Sequence, residues 1–130
     1  MIHRLNDEID IKIVRLMQDG RRHLEKLNIL KATSGIRSDW HNFVLSEIND
    51  HVIRVSVIDR DFHWHRHLDS DEAFIVLEGE LNIDLEERTE VLKPGDFMTI
   101  PKGVLHRTRA KGRTVNITFE HRSSKAVGDP

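Results

Sequence analysis

Five residues of this chain are of the kinds that do chemistry and stand where folding could bring them together. In the stretch FHWHRHLDSDE, His63, His65 and His67 alternate, Glu72 follows across the polar segment LDSD, and His106 comes later, within PKGVLH. Imidazole nitrogen and carboxylate oxygen are the donors that first-row divalent ions take when no thiolate is offered, and the chain has no cysteine. Alternate side chains of a strand share one face, so His63, His65 and His67 would project to one side and Trp64 and Arg66 to the other. If LDSD turns the chain and AFIVLE returns it as a strand, the Glu72 carboxylate comes to lie beside those imidazoles. His106 begins a further run and could enter from a neighbouring strand. The set His65, His67, Glu72 and His106 suits one divalent Fe, Mn, Ni, Zn or Co ion, and a six-coordinate ion would keep positions open for water or a chelating molecule. A four-coordinate zinc ion on the same ligands would be closed and structural. His63 is the candidate for a catalytic role as general base, or for a fifth ligand or a contact to a bound molecule; the plainer reading is a partly exposed histidine at the rim.

Such convergence needs strands, and from Trp40 onward the sequence supplies them. FVLSEI, VIRVSVID, AFIVLE, ELNIDLE, EVL, DFMTI, VLHRTRA and TVNITFE are eight short β-rich runs, a density that predicts an all-β antiparallel barrel or jelly roll over residues 39–121. Between them stand turn residues: Asn49 and Asp50; Glu78, Gly79 and Glu80 as a tight hairpin; Pro94 and Gly95; and Pro101, Lys102 and Gly103. Val55, Val57, Phe74, Val76, Met98, Ile100, Ile117 and Phe119 line the interior or the core beneath it, according to the parity each strand takes. Thr108 shares the face of His106 and could hydrogen-bond a ligand. Residues 1–38 read as an arm, partly helical, with Leu5, Ile9, Ile13 and Leu16 at helical spacing although Ile9, Ile11 and Ile13 also alternate. Gly20 ends that segment, a second one carries Leu24, Leu27 and Leu30, and ATSG is loop chemistry. The arm would serve as a lid or a dimer contact. The polar stretch 122–130 is expected to be a flexible tail.

Composition narrows the partners. A length of 130 residues suits one domain, and 38% apolar with 32% charged residues marks a folding, water-soluble chain. A net charge of −2 gives no field to draw in nucleic acid. The start MIHRLNDEID lacks the basic and apolar regions of a signal peptide, and no run reaches a membrane-spanning length. The expectation is therefore a cytoplasmic protein with a small-molecule ligand, and with neither nucleic acid nor membrane as partner. The charged run Arg107, Arg109, Lys111 and Arg113 reads as edge-strand solubility.

Two segments resemble the paired motifs of the cupin superfamily. His65, His67, Glu72 and Gly79 within HRHLDSDEAFIVLEG match the first, and Gly95, Pro101, Gly103 and His106 within GDFMTIPKGVLH match the second. The likeness covers about residues 40–120 and is nearest to small single-domain bacterial cupins. Asp59 stands where the first motif usually begins with glycine, and Ala110 where the second often ends with asparagine; neither is a ligand. The resemblance implies a double-stranded β-helix with its metal inside, the same four ligands, and frequent homodimerisation. Its members' activities leave two readings open: a metal-dependent enzyme such as an isomerase or dioxygenase acting on a sugar, keto acid or similar metabolite, or a non-catalytic module that binds or senses one.

Overall fold

The computed structural model describes residues 24–125 together with 128 and 129. Eight strands follow one short helix among them: α1 (Ile29–Thr33), β1 (Trp40–Ile48), β2 (His51–Ile58), β3 (Glu72–Glu78), β4 (Leu81–Asp84), β5 (Thr89–Leu92), β6 (Phe97–Ile100), β7 (Arg107–Arg109) and β8 (Thr114–His121). They form a five-stranded sheet in the order β1-β2-β8-β3-β6 and a three-stranded sheet in the order β5-β4-β7, with every neighbouring pair antiparallel. This is the double-stranded β-helix expected, and its eight strands coincide with the eight runs. None of the described helices is long and apolar enough to cross a membrane.

The turns explain the path. Asn49, at a positive φ of 55°, lets β1 fold back on β2 after Ile48, which pairs with His51. Pro94 and Gly95 make a type II turn: Gly95 has φ 92° and Asp96 N–H donates to the Lys93 carbonyl at 2.8 Å. The segment Glu78–Glu80, expected to be a hairpin, is instead a corner between the sheets. β3 pairs with β6 and β8, whereas β4 pairs with β5 and β7. Gly79 sits there at φ 81°, and a Cβ on it would fall 2.5 Å from the Arg113 carbonyl oxygen, so the corner requires glycine on two counts.

Two cores flank the larger sheet. Ile58, Phe74, Val76, Leu81, Ile83, Leu92, Ile100 and Ala110 pack inside the barrel, with Trp40, Leu85 and Met98 at their margin. Val55, Val57, Val115 and Phe43 face outward and are covered by Leu27, Ile29, Ala32 and Ile36. Strand parity thus divides the expected interior: Phe74, Val76, Met98 and Ile100 point in, Val55 and Val57 point out beneath α1, and Phe119 is exposed. Asn28 caps α1 by accepting from Lys31 N–H at 3.0 Å. The helix takes in Ala32 and Thr33, so only the second half of ATSG is turn. Leu5, Ile9, Ile13, Leu16 and Gly20 lie outside the described residues.

Part of the stretch read as a flexible tail is held, which departs from that expectation. Ser123 and Ser124 hydroxyls donate to Asp69 at 2.6 and 2.9 Å, and Arg66 and Asp129 exchange two backbone hydrogen bonds. Gly128 packs directly on the His65 ring.

Candidate metal centre

His65 and His106 face each other across a two-bond bridge, His65 N–H to His106 O and His106 N–H to His65 O, both 2.9 Å. Each ring is fixed by a bond from Nδ1 to a backbone carbonyl: His63 O for His65 at 2.8 Å and Val104 O for His106 at 2.9 Å. With the proton on Nδ1, each presents its Nε2 lone pair. The turn at Pro101–Val104, with Gly103 at φ 82°, delivers His106, and Gly103 N–H donates to the His67 carbonyl at 2.8 Å, tying that turn to the ligand segment. Glu72 opens β3, opposite Ile100 and Glu120.

One donor atom from each of His65, His67, Glu72 and His106 lies within 4.8 Å of the others, and all four residues are buried. His67 Nε2 is 3.0 Å and His106 Nε2 3.4 Å from Glu72 Oε1, yet none of these atoms meets hydrogen-bond geometry. Their lone pairs converge without pairing. Seven buried side-chain polar atoms lack a hydrogen-bond partner among the described residues; six belong to His67, Glu72, His106, Glu120 and Arg54, the other being Arg66 Nε. Buried polar atoms are costly to leave unpaired, so their gathering at one point is what a cation site requires. The donor set fits a divalent transition ion.

His63 is not among the four. Residues 59–71 contain isolated bridges instead of a continuous strand, so strict alternation fails there: His65 and His67 are buried and His63 is exposed. It meets the cluster through the carbonyl that holds His65 and through its ring, 5.3 Å from the His65 ring centre. Trp64 lies under the Arg107 guanidinium, 5.3 Å from its ring centre.

The electrostatics follow from burial and neighbours. Burial pushes the His65 imidazole down to about 4. Burial also disfavours the charged form of His67, but Glu72 and Glu120 outweigh it and raise its pKa. Glu72 is likewise buried, and its contacts with His106 and His67 overcome that and hold the carboxyl well below the usual range. Glu120 goes the other way, pushed up to about 7 by burial and by the Glu72 charge.

Glu120 was missed in the sequence, as was Arg54. His67 Nδ1 is 3.7 Å from Glu120 Oε2, and Arg54 Nε is 3.5 Å from Glu120 Oε1. In TVNITFE the polar residues Thr114, Asn116, Thr118 and Glu120 alternate with apolar ones, and this polar face, not Ile117 and Phe119, points inward. A cavity of about 460 Å³, its open mouth included, adjoins the cluster; Asn42, Arg54, Ser56, Thr108, Asn116 and Thr118 supply its polar lining.

A family model for the cupin domain matches residues 52–119. The Bacillus subtilis protein named "Uncharacterized protein YdbB" is 48% identical over 101 residues, covering 77% of this chain and 89% of that one. A cupin-2 domain containing protein from Shewanella frigidimarina superposes with a TM-score of 0.70 at 34% identity, over 74% of this chain and 94% of its own. The protein NMB1881 from Neisseria meningitidis shares the fold, with a TM-score of 0.67 at 21% identity over 75% and 99% of the two chains.

Proposed function

The chain belongs to the cupin domain family, and from that premise we propose that it holds one divalent transition ion on His65, His67, Glu72 and His106 and binds a small polar metabolite in the adjoining cavity. The observation that carries the reading is the meeting of four buried donor atoms within 4.8 Å, with Nε2 of His67 and His106 and Oε1 of Glu72 unpaired. Such an ion supplies Lewis acidity toward an oxygen of the bound molecule.

The chain's own residues do the rest. His63 and Val104 carbonyls fix the tautomers of His65 and His106. Glu120 stands beside His67 Nδ1, where a carboxylate orients a ligand imidazole and raises its basicity. Five neutral polar side chains line the cavity beside Trp40, Ile58, Phe62 and Phe74, a surface that offers hydrogen bonds to the oxygens of a small metabolite and apolar walls to its carbon atoms.

Elemental analysis of protein purified without added metal tests the proposal. About one equivalent of a first-row ion per chain is expected, falling below about a tenth in Glu72→Ala and His106→Ala. Equal metal content in wild type and both variants would refute it.

A further inference from the structure

Beside the ligand cluster the cavity holds a cation that the cluster does not use. Arg54 projects inward from β2, paired in register with Thr118 of β8, and its side chain is 15% exposed. Its Nε is buried and has no hydrogen-bond partner. The nearest acid, Glu120, stays at 3.5 Å. By comparison, Arg107 and Arg109 reach Asp84 at 2.7 and 2.6 Å. Arg54 Nε thus has Glu120 as an ion-pair neighbour but no hydrogen bond.

Charge points the same way. Among the described residues, and apart from imidazoles, Arg54, Glu72 and Glu120 are the only ionisable residues lining the cavity. Two carboxylates, one guanidinium and a divalent ion leave one net positive charge with both carboxylates ionised. A buried surplus charge calls for a counter-ion. A guanidinium is the planar fork that matches a carboxylate.

We propose that Arg54 recognises the carboxylate of a small 2-hydroxy or 2-oxo acid whose adjacent oxygen faces the His65, His67, Glu72 and His106 cluster. This rests on the metal reading above and names the substrate class for the same site. Asn42, Ser56, Asn116 and Thr118 line the same cavity and carry groups able to hydrogen-bond further oxygens of a larger acid.

The test uses the full chain loaded with cobalt(II), whose visible spectrum reports both metal uptake and a change in its ligands. Glycolate and its uncharged counterpart glycolamide are titrated into wild type, Arg54→Gln and Arg54→Lys. Wild type should bind glycolate at least about tenfold more tightly than glycolamide. Arg54→Gln should take up cobalt as wild type does, lose about tenfold or more in glycolate affinity, and change little toward glycolamide; Arg54→Lys should lie between. Equal affinity of wild type for the two probes would overturn the proposal whatever the variants do, as would an Arg54→Gln protein that keeps its glycolate affinity. Cobalt binding without glycolate binding would also overturn it while leaving the metal reading standing. Failure of wild type to take up cobalt would overturn both.

Discussion

Glu72 and Glu120 are direct cross-strand partners on β3 and β8, both carboxylates are buried, and His67 stands between them, with Nε2 3.0 Å from Glu72 and Nδ1 3.7 Å from Glu120. Like charges directly opposite in a sheet are destabilising. The pair answers by splitting its proton affinities: Glu72 stays ionised among the imidazoles, and Glu120 is pushed up to about 7. A cation on the Glu72 side would relieve the repulsion and let both ionise.

Glu120 should accordingly matter to metal affinity without being a ligand. Glu120→Gln is expected to weaken zinc binding by roughly tenfold to a hundredfold while still allowing one ion per chain. Titration calorimetry on the metal-free protein measures this; an unchanged dissociation constant would mean that Glu120 does not orient His67.

Acid should release the metal in a defined window. The His67 pKa is raised above its ordinary 6.5 and that of His65 is lowered to about 4, so on acidification protons compete at His67 before they compete at His65. The metal-induced rise in melting temperature should shrink on acidification and vanish near pH 4, where His65 takes up its proton. In the metal-free protein the two groups have opposite signs. His65, depressed on folding, costs stability as pH falls from 6.5 toward 4, because the unfolded chain takes up that proton first. His67, raised on folding, contributes stability below 6.5 that is lost as pH rises through its folded value. Melting curves with and without metal across this range check both; a constant metal-induced shift would contradict ligation by imidazole.

The cluster of His65, His67, Glu72 and His106 was legible in the sequence because these residues sit beside turn residues whose backbone demands are local. The polar face of β8 was equally on display in Thr114, Asn116, Thr118 and Glu120, but apolar strand residues normally point inward, and a barrel that lines its cavity with polar side chains reverses that expectation. His63 is exposed, as its plainer reading at the rim expects, with its ring 5.3 Å from that of His65, and residues 59–71 are held by isolated bridges and by Asp129. The Glu78–Glu80 corner was not readable because hairpin and crossover differ in which distant strands pair, not in turn composition.

The smaller sheet has its own electrostatic hub. Asp84 accepts from Arg109 at 2.6 and 2.9 Å, from Arg107 at 2.7 Å and from Thr89 at 2.6 Å, which assigns the two arginines a structural partner beyond edge solubility. Arg109, then Thr89 and Arg107, hold its carboxyl well below the usual carboxylate range, so its contribution is present above its unfolded value of 3.8 and is lost on further acidification. Asp84→Asn should destabilise the fold by about 2 kcal/mol at neutral pH and leave metal content unchanged. Urea unfolding with parallel metal analysis decides it; loss of metal in a folded variant would link this sheet to the centre.

Gly79→Ala should also destabilise, by about 1–3 kcal/mol. The added methyl meets the Arg113 carbonyl oxygen at 2.5 Å and Thr114 Cα at 2.9 Å at a φ of 81°. Thermal melting would show the loss; an unchanged midpoint would mean that the corner relaxes freely.

Anomalous diffraction from crystals grown with cobalt(II) tests most directly whether His65, His67, Glu72 and His106 share one ion. One strong peak should lie about 2.0–2.3 Å from an imidazole nitrogen of each of His65, His67 and His106 and from a Glu72 carboxylate oxygen. A fully loaded crystal whose peaks lie elsewhere, with those four side chains unbound, would contradict it.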